Sequence, residues 1–229
     1  MILTVSHIMK RFQNPVLEDV SFSVRKGEFL VLFGPNGCGK TTLLHIIAGV
    51  MQPDSGSVRC PKKIGFVFQN YRDALFPWKT NLENIAFPLE LQRVPKQERL
   101  RKATKLVEKL TLSVPLNQYP YQSSGGEQQL VSLLRELLSK PDLLLMDEPF
   151  SALHHESRAY LRNTVQDLAR KLKLTVVFVT HDITEAVQLG DRVVLLNSKK
   201  EVRVTLSRAE RVVHSKAFQR MRKKFEAHL

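Results

Sequence analysis

Three observations predict an α/β fold with a helical insert for this 229-residue chain. Short apolar runs of strand length alternate with stretches of helical periodicity toward both ends. A middle stretch, about 70–140, carries helical patterning alone. A glycine-rich loop also sits directly between a wholly apolar run and a helical one. Hydrophobic content of 43% and charged content of 25% are ordinary for a globular chain.

The elements follow in order. "VSFSVR" at 20–25 and "FLVLF" at 29–33 read as strands, the second buried on both faces because nothing in it is polar. A helix is expected at about 41–49, then strand "IGFVF" at 64–68. The helical region that follows, roughly 80–139, is broken by Pro95, Pro115 and Pro120. "DLLLMD" at 142–147 and "LTVVFVT" at 174–180 are again buried strands, with helical "ESRAYLRNTVQDLARKL" between them. "DITEAVQL" predicts a helix with Asp182 and Glu185 at capping spacing and Gly190 as its stop. The pattern predicts a mixed sheet, a β-rich N-terminal subdomain and an inserted α-helical subdomain, within a single domain over 1–229.

Composition bounds the function. No apolar run approaches the ~18 residues that cross a bilayer. "MILTVSHIMKRF" lacks the pattern of a secretion signal. Cys38 and Cys60 make no disulfide or metal framework, which suits a reducing cytosol. The net charge of +13 points toward nucleic acid or an anionic membrane, but +7 of it lies in Lys199–Leu229, with ten Lys/Arg against three Asp/Glu. That segment predicts a basic C-terminal helix at about 207–229, capped by Ser207 and Glu210 and solvated except along one packed face.

"GPNGCGKT", Gly34 to Thr41, follows strand "FLVLF" and precedes a helix, the context in which Gly-x-x-x-x-Gly-Lys-Thr binds phosphate. Gly34, Gly37 and Gly39 let the loop through Pro35, Asn36 and Cys38 aim its N–H groups inward, and the helix that runs on through Thr42 adds its positive end. Lys40 is placed for the β- and γ-phosphates, and the Thr41 hydroxyl for Mg²⁺. Cys38 is expected to be a small filler. The loop makes the core that of a P-loop NTPase.

Such a core needs a second carboxylate site, and "LLLMDEP" at 143–149 supplies one. Asp147 leaves the strand to hold Mg²⁺, and Glu148 follows as general base for the attacking water. His181 closes another buried strand and is expected at the same sheet edge, able to contact the γ-phosphate. Gln69, after "IGFVF", is placed likewise to meet Mg²⁺ or the water. The remaining histidines have no metal-ligand spacing.

"GPNGCGKTT", Gln69, "SSGGEQQ", "LLLMDEP", "SAL" and His181 occur in an order and spacing that resembles the nucleotide-binding subunits of ABC transporters, from "ILTVSHIMKRF" to about residue 197. The resemblance implies that two subunits close head-to-tail around two ATP molecules. "SSGG" would then open a helix as a second anion cradle. Its free N–H groups and the Ser124 hydroxyl would face the other subunit's ATP, with Gly125 and Gly126 allowing close approach. Phe12 falls where the family stacks adenine; an ordinary core phenylalanine is the other reading.

Departures from the family pattern stand beside it. The signature usually begins with Leu, where this chain has Ser123, and Arg usually follows its last Gln, where this chain has Leu130. "SALD" is here "SALH", which puts His154 where an Asp helps the subunits communicate. Glu127 is a common variant with no expected consequence. The changes leave open slower or partner-dependent hydrolysis, and a heterodimer in which this chain supplies the weaker signature.

"ALFPWKT" and "ENIAF" resemble the importer branch that handles nitrate, sulfonates and taurine, which implies a groove for a permease helix around Phe76, Pro77 and Trp78. Trp78 packing its own subdomain is the alternative there. Permease and any solute-binding protein are expected to be separate chains, with this one at the cytoplasmic face of the membrane and no nucleic-acid partner. Two further readings are a soluble ABC-type ATPase acting on ribosomes or nucleic acid, and a regulatory subunit that binds ATP without turning it over.

Overall fold

The computed structural model describes residues 1–197 and 200–205. The expected basic helix at about 207–229 lies outside them. Two sheets organise the described residues. Strands β1 (Leu3–Arg11), β2 (Pro15–Val24) and β4 (Ser55–Arg59) form an antiparallel sheet in the order β2-β1-β4. The second sheet runs β5-β6-β7-β3-β8-β9, built from β3 (Phe29–Phe33), β5 (Ile64–Val67), β6 (Leu143–Asp147), β7 (Val176–Thr180), β8 (Arg192–Asn197) and β9 (Lys200–Thr205). Its strands are parallel except β9, which pairs antiparallel with β8. The sheet is therefore mixed, and the fold is the α/β class that the sequence predicts.

Strict alternation explains why this sheet is buried. Phe29, Val31 and Phe33 of β3 point into one core with Val176 and Phe178 of β7 and Leu144 and Met146 of β6. The intervening Leu30, Leu32, Val177, Val179, Leu143 and Leu145 point into a second core, shared with β1, β2 and helix α1 (Lys40–Ile47). A strand apolar at every position serves both faces at once, as parallel sheets covered on both sides require. Phe178 is fully buried, with its ring 5.8 Å from Phe29 and 5.5 Å from Phe150.

The helical insert follows β5. It comprises the single turn α2 (Tyr71–Ala74), α3 (Asn81–Leu91), α4 (Lys96–Leu110), a 3₁₀ turn at Pro120–Gln122, and α5 (Gly125–Leu138). Thr80 and Glu83 make a capping box for α3, and Ser124 and Glu127 make one for α5. Pro95 and Pro120 fall at element starts, whereas Pro88 sits inside α3 without ending it.

Helix α6 (His155–Leu172) and α7 (Ile183–Leu189) return the chain to the sheet. Asp182 caps α7 by accepting from Thr184 and Glu185 N–H, but Glu185 does not return the bond: its carboxylate accepts from the Thr180 hydroxyl, which itself takes the Asp182 N–H. Gly190 ends α7 in extended backbone rather than the left-handed form; a Cβ there would press on the Ala186 carbonyl and Val31.

His154 is the N-cap of α6 and makes no side-chain capping bond. An Asp there accepts from the first-turn N–H groups, worth about 1 kcal/mol. His154→Asp is expected to raise the melting temperature by roughly 2–4 °C in calorimetry; an unchanged temperature means that the first turn is satisfied otherwise.

Candidate nucleotide site

The candidate site grows from the C-terminal edge of the parallel sheet. The register pairs Phe33 with Thr180, and Asp147 with Val179. The loop after β3, the residue after β7 and the carboxylates at the end of β6 thus leave the sheet side by side. A cavity of about 440 Å³ opens there, lined among others by Phe12, Asn36, Lys40, Thr41, Gln69 and Glu148. Gly37, Gly39 and Thr42 complete its loop side, and Val16 of β2 adds an apolar wall that nothing in the sequence pointed to.

The loop's glycines serve different needs. Gly37 and Gly39 have φ of 81° and 93°, a left-handed backbone that side chains resist, and a Cβ at Gly39 would also press on Val16 and Leu17. Gly34 is needed for space, because a Cβ there would overlap the Leu196 carbonyl. Cys38 is half-buried, and burial pushes its thiol pKa up, consistent with a filler.

Lys40 is almost wholly buried, yet its ammonium is satisfied. It donates to the Gly34 carbonyl (2.9 Å) and the Pro35 carbonyl (2.8 Å) and lies 3.4 Å from Glu148 Oε1. The other Glu148 oxygen, Oε2, is 2.8 Å from His181 Nδ1. Glu148 itself has φ of 40°, an uncommon conformation for a side-chain-bearing residue. Its carboxylate is held between a cation and an imidazole, at the mouth of the phosphate loop.

Asp147 is 4% exposed, and its Oδ1 has no hydrogen-bond partner among the described residues. Burial pushes its pKa up, opposed by a hydrogen bond from the Thr41 side chain. An orphaned carboxylate oxygen beside a hydroxyl is the hard-oxygen donor set that suits Mg²⁺, and a buried oxygen left unpaired calls for such a partner. Gln69 Nε2 donates to Ser151 Oγ (3.3 Å), which donates to the Glu148 carbonyl (2.9 Å), so Ser151 links the two loops.

Phe12 is 57% exposed and lines the cavity, with Lys10 Nζ 5.6 Å from its ring centroid. The reading of Phe12 as core is thereby excluded. Trp78 is 71% exposed and so is not buried in the interior of its subdomain, although its ring meets Phe76 of that subdomain at 5.5 Å between centroids.

Ser124, Gly125 and Gly126 do not line this cavity. Ser124 is the N-cap of α5, and both its N–H (2.7 Å) and its hydroxyl (2.8 Å) donate to Glu127 Oε2. Glu127 thus takes a part the sequence did not suggest: its carboxylate sits on the donors of the expected cradle. Gly125 meets a second need besides close approach, since a Cβ there would overlap the Tyr71 hydroxyl. Leu130 is buried in the helical core, and Ser123 is 8% exposed with its hydroxyl turned inward.

These features define a class: a P-loop nucleotide site on a parallel-sheet edge, with a separate glycine-led helix start in the helical insert. The sequence profile of the ABC transporter family matches residues 17–151, and the chain belongs to that family. It is 45% identical over 191 residues to an uncharacterized ABC transporter ATP-binding protein of Methanocaldococcus jannaschii, covering 80% of this chain and 71% of that protein. It is 39% identical over 216 residues to a probable sulfate/thiosulfate import ATP-binding protein of Chlorella vulgaris, covering 89% and 91%. It is 44% identical over 211 residues to a molybdate/tungstate import ATP-binding protein of Thermococcus kodakarensis, covering 87% and 63%. Among solved structures it is similar to a dimeric ATP-binding cassette in a post-hydrolysis state bound to ADP and Pi, with TM-score 0.77, 29% identity and coverage of 90% and 99%. Among the described residues no helix is long and apolar enough to cross a membrane.

One buried group behind the site titrates unusually. Glu185 is 3% exposed, and burial pushes its pKa up to about 7 although the Thr180 hydroxyl donates to it at 2.6 Å. Thr180 Oγ1 also accepts from Asp182 N–H (2.9 Å), so this cluster fixes the turn that carries His181. A raised carboxyl pKa means that the folded state holds the proton more tightly than the unfolded state. That contribution is complete below the ordinary glutamate value and is lost as pH rises through about 7. Glu185→Gln is therefore expected to melt higher than the parent at pH 8, with the difference shrinking toward pH 5. A pH-independent difference in melting scans would contradict the burial of a proton here.

Proposed function

We propose that the chain, as one ABC ATPase domain over residues 1–229, is the ATP-binding and ATP-hydrolysing motor subunit of an importer, closing with a second nucleotide-binding subunit around ATP to drive a separate permease. One observation carries this reading. Lys40, Glu148 and His181 meet at the P-loop cavity, while Ser124–Gly126 lie outside it at the capped start of α5, where the Ser124 donors would serve a neighbouring subunit's nucleotide once Glu127 releases them.

In this reading Phe12 stacks on the base, and the N–H groups from Asn36 to Thr42 wrap the phosphates with Lys40. Asp147, Thr41 and Gln69 would hold Mg²⁺, which supplies charge neutralisation on the β- and γ-phosphates when bound. Glu148 accepts the proton of the attacking water as that water's oxygen bonds to the γ-phosphorus. The bond to the β-phosphate oxygen breaks, and ADP departs with the electron pair. His181 orients the Glu148 carboxylate through the contact at 2.8 Å and reaches toward the phosphoryl oxygens. The facing subunit's Ser124 hydroxyl and α5 N–H groups take the γ-phosphate from the other side.

The exposed Trp78, next to Phe76 and Pro77, is the docking rim for the permease, an aromatic anchor of the kind that dominates interfaces. Through it the subunit sits peripherally at the cytoplasmic face of the membrane. A solute-binding protein is a separate chain. The import subunits among its relatives handle sulfate/thiosulfate and molybdate/tungstate, which supports the importer reading without fixing the solute; selection belongs to the permease and the binding protein.

Glu148→Gln removes the base while keeping the nucleotide contacts, so with ATP and Mg²⁺ it is expected to sediment as a dimer that reverts to monomer with ADP. A monomer at every ATP concentration would overturn the sandwich. In that background Glu127→Gln is expected to tighten dimerisation about three- to tenfold at low salt, because a negative charge leaves the γ-phosphate cradle. Unchanged dimerisation would mean that the carboxylate swings clear.

A further inference from the structure

Two asparagines on the first turn of α3 connect the permease-facing rim to the start of α5. Asn84 ties down the rim: its Nδ2 donates to the carbonyls of Phe76, Lys79 and Thr80, each at 3.1 Å, and its Oδ1 accepts from Phe76 N–H at 2.9 Å. Asn81, three residues earlier on the same helix, reaches the other direction. Its Nδ2 donates to Ser123 Oγ at 2.8 Å and to the Pro115 carbonyl at 2.9 Å. Ser123 is held from its far side as well, because its carbonyl accepts from Gln128 Nε2 at 2.9 Å. The next residue is Ser124, the cap whose hydroxyl and N–H form the cradle.

Burial makes the Asn81–Ser123 contact directional rather than incidental. Asn81 is fully buried and Ser123 nearly so, and Asn81 Oδ1 finds no partner among the described residues. A buried amide that leaves its oxygen unpaired is less stable than an apolar pair of the same shape. What the amide adds is geometry: one hydrogen bond of fixed length and direction, between a helix start at the docking rim and the residue preceding the cradle. Apolar side chains at both positions would pack but could slide.

We propose that Asn81 is a positioning residue for the signature turn, its bond to Ser123 transmitting displacement of the Phe76–Thr80 rim to the Ser124 donors. The proposal rests on the reading that Ser124 engages a facing subunit's ATP. It assigns a role to the Ser123 departure: the serine is the acceptor that the Asn81 amide requires.

The chain contains a single tryptophan, Trp78, which lies on that rim, so its fluorescence reports the rim without a label. The test uses full-length Glu148→Gln protein with ATP and Mg²⁺, alone and with Asn81→Leu, Ser123→Ala, both together, or Ser123→Thr. Sedimentation reads dimerisation, Trp78 emission reads the rim, and ATP affinity of the dilute monomer reads the P-loop side. Each single change is expected to weaken dimerisation about fivefold and to abolish the ATP-driven change in Trp78 emission at saturating dimer. The double variant should be no worse than the worse single one, and Ser123→Thr, which keeps the hydroxyl, should match the parent. Monomer ATP affinity stays unchanged throughout, which a general loss of structure would not allow. Ser123→Ala leaves the Asn81 amide its Pro115 acceptor, so that variant stays informative if Asn81→Leu fails to fold.

Single variants that dimerise like the parent and keep its Trp78 response overturn the proposal alone, as do effects that multiply in the double variant. A parent that never dimerises overturns the reading of Ser124 and takes this proposal with it.

Discussion

The site depends on one constraint: three neighbouring strands, β3, β7 and β6, are buried on both faces and end in register. A strand that is apolar up to its last residue cannot present chemistry until it reaches the sheet edge. Each therefore turns to chemistry at the same edge: β3 in the loop that opens at Gly34 and leads to Lys40, β7 at His181, and β6 at Asp147 and Glu148. Strands lie about 4.8 Å apart, so groups leaving three adjacent strands arrive within roughly 10 Å of one another. The convergence of Lys40, Glu148 and His181 follows from packing that is itself indifferent to chemistry.

Burial at that edge also sets the electrostatics. An unpaired ammonium as deeply buried as that of Lys40 would be costly to desolvate. Two loop carbonyls and Glu148 offset that cost. Asp147 is the complementary case. Its carboxylate is pushed toward protonation by burial, and the Thr41 hydroxyl answers only part of its acceptor capacity. A region that stabilises one charge fully and another incompletely is primed for a ligand carrying both a cation and anionic oxygens.

What the sequence made legible was whatever its local pattern determines. Buried strands flanked by polar landmarks, "FLVLF", "LLLMD" and "VVFVT", are readable because their apolar runs are uninterrupted, and the capped helix at Asp182 because its spacing is local. Strand β1 escapes notice since His7 adopts a left-handed φ of 51° and the pairing register shifts several times along it. Strand β4 is short, polar and mostly exposed. Strand β8 has the apolar run of a buried strand, and only the lack of a chemical landmark at its end hides it. At the site, the P-loop and carboxylate residues are legible by spacing. The bond between Asn81 and Ser123 joins residues 42 positions apart, and the Tyr71 hydroxyl that fills the space over Gly125 comes from another helix. Neither has a local signal, because each exists only once α2, α3 and α5 are packed.

The three departures from the family pattern take on a different weight once their places are known. Leu130 faces the helical core, where an apolar side chain adds to burial. Ser123 turns inward to an amide rather than outward to a phosphate. His154 caps a helix poorly but lies at an exposed position. None removes a donor from the outward face of the α5 start, where Ser124 still presents its hydroxyl and N–H, both held by Glu127. Leu130 and Ser123 seat the helix from its inner side, and in the proposed function that seating sets how the Ser124 donors would meet a partner's nucleotide. A signature changed on its inner face and keeping Ser124 at the outer start of α5 fits the proposed motor role, in which Ser124 serves the facing subunit's nucleotide.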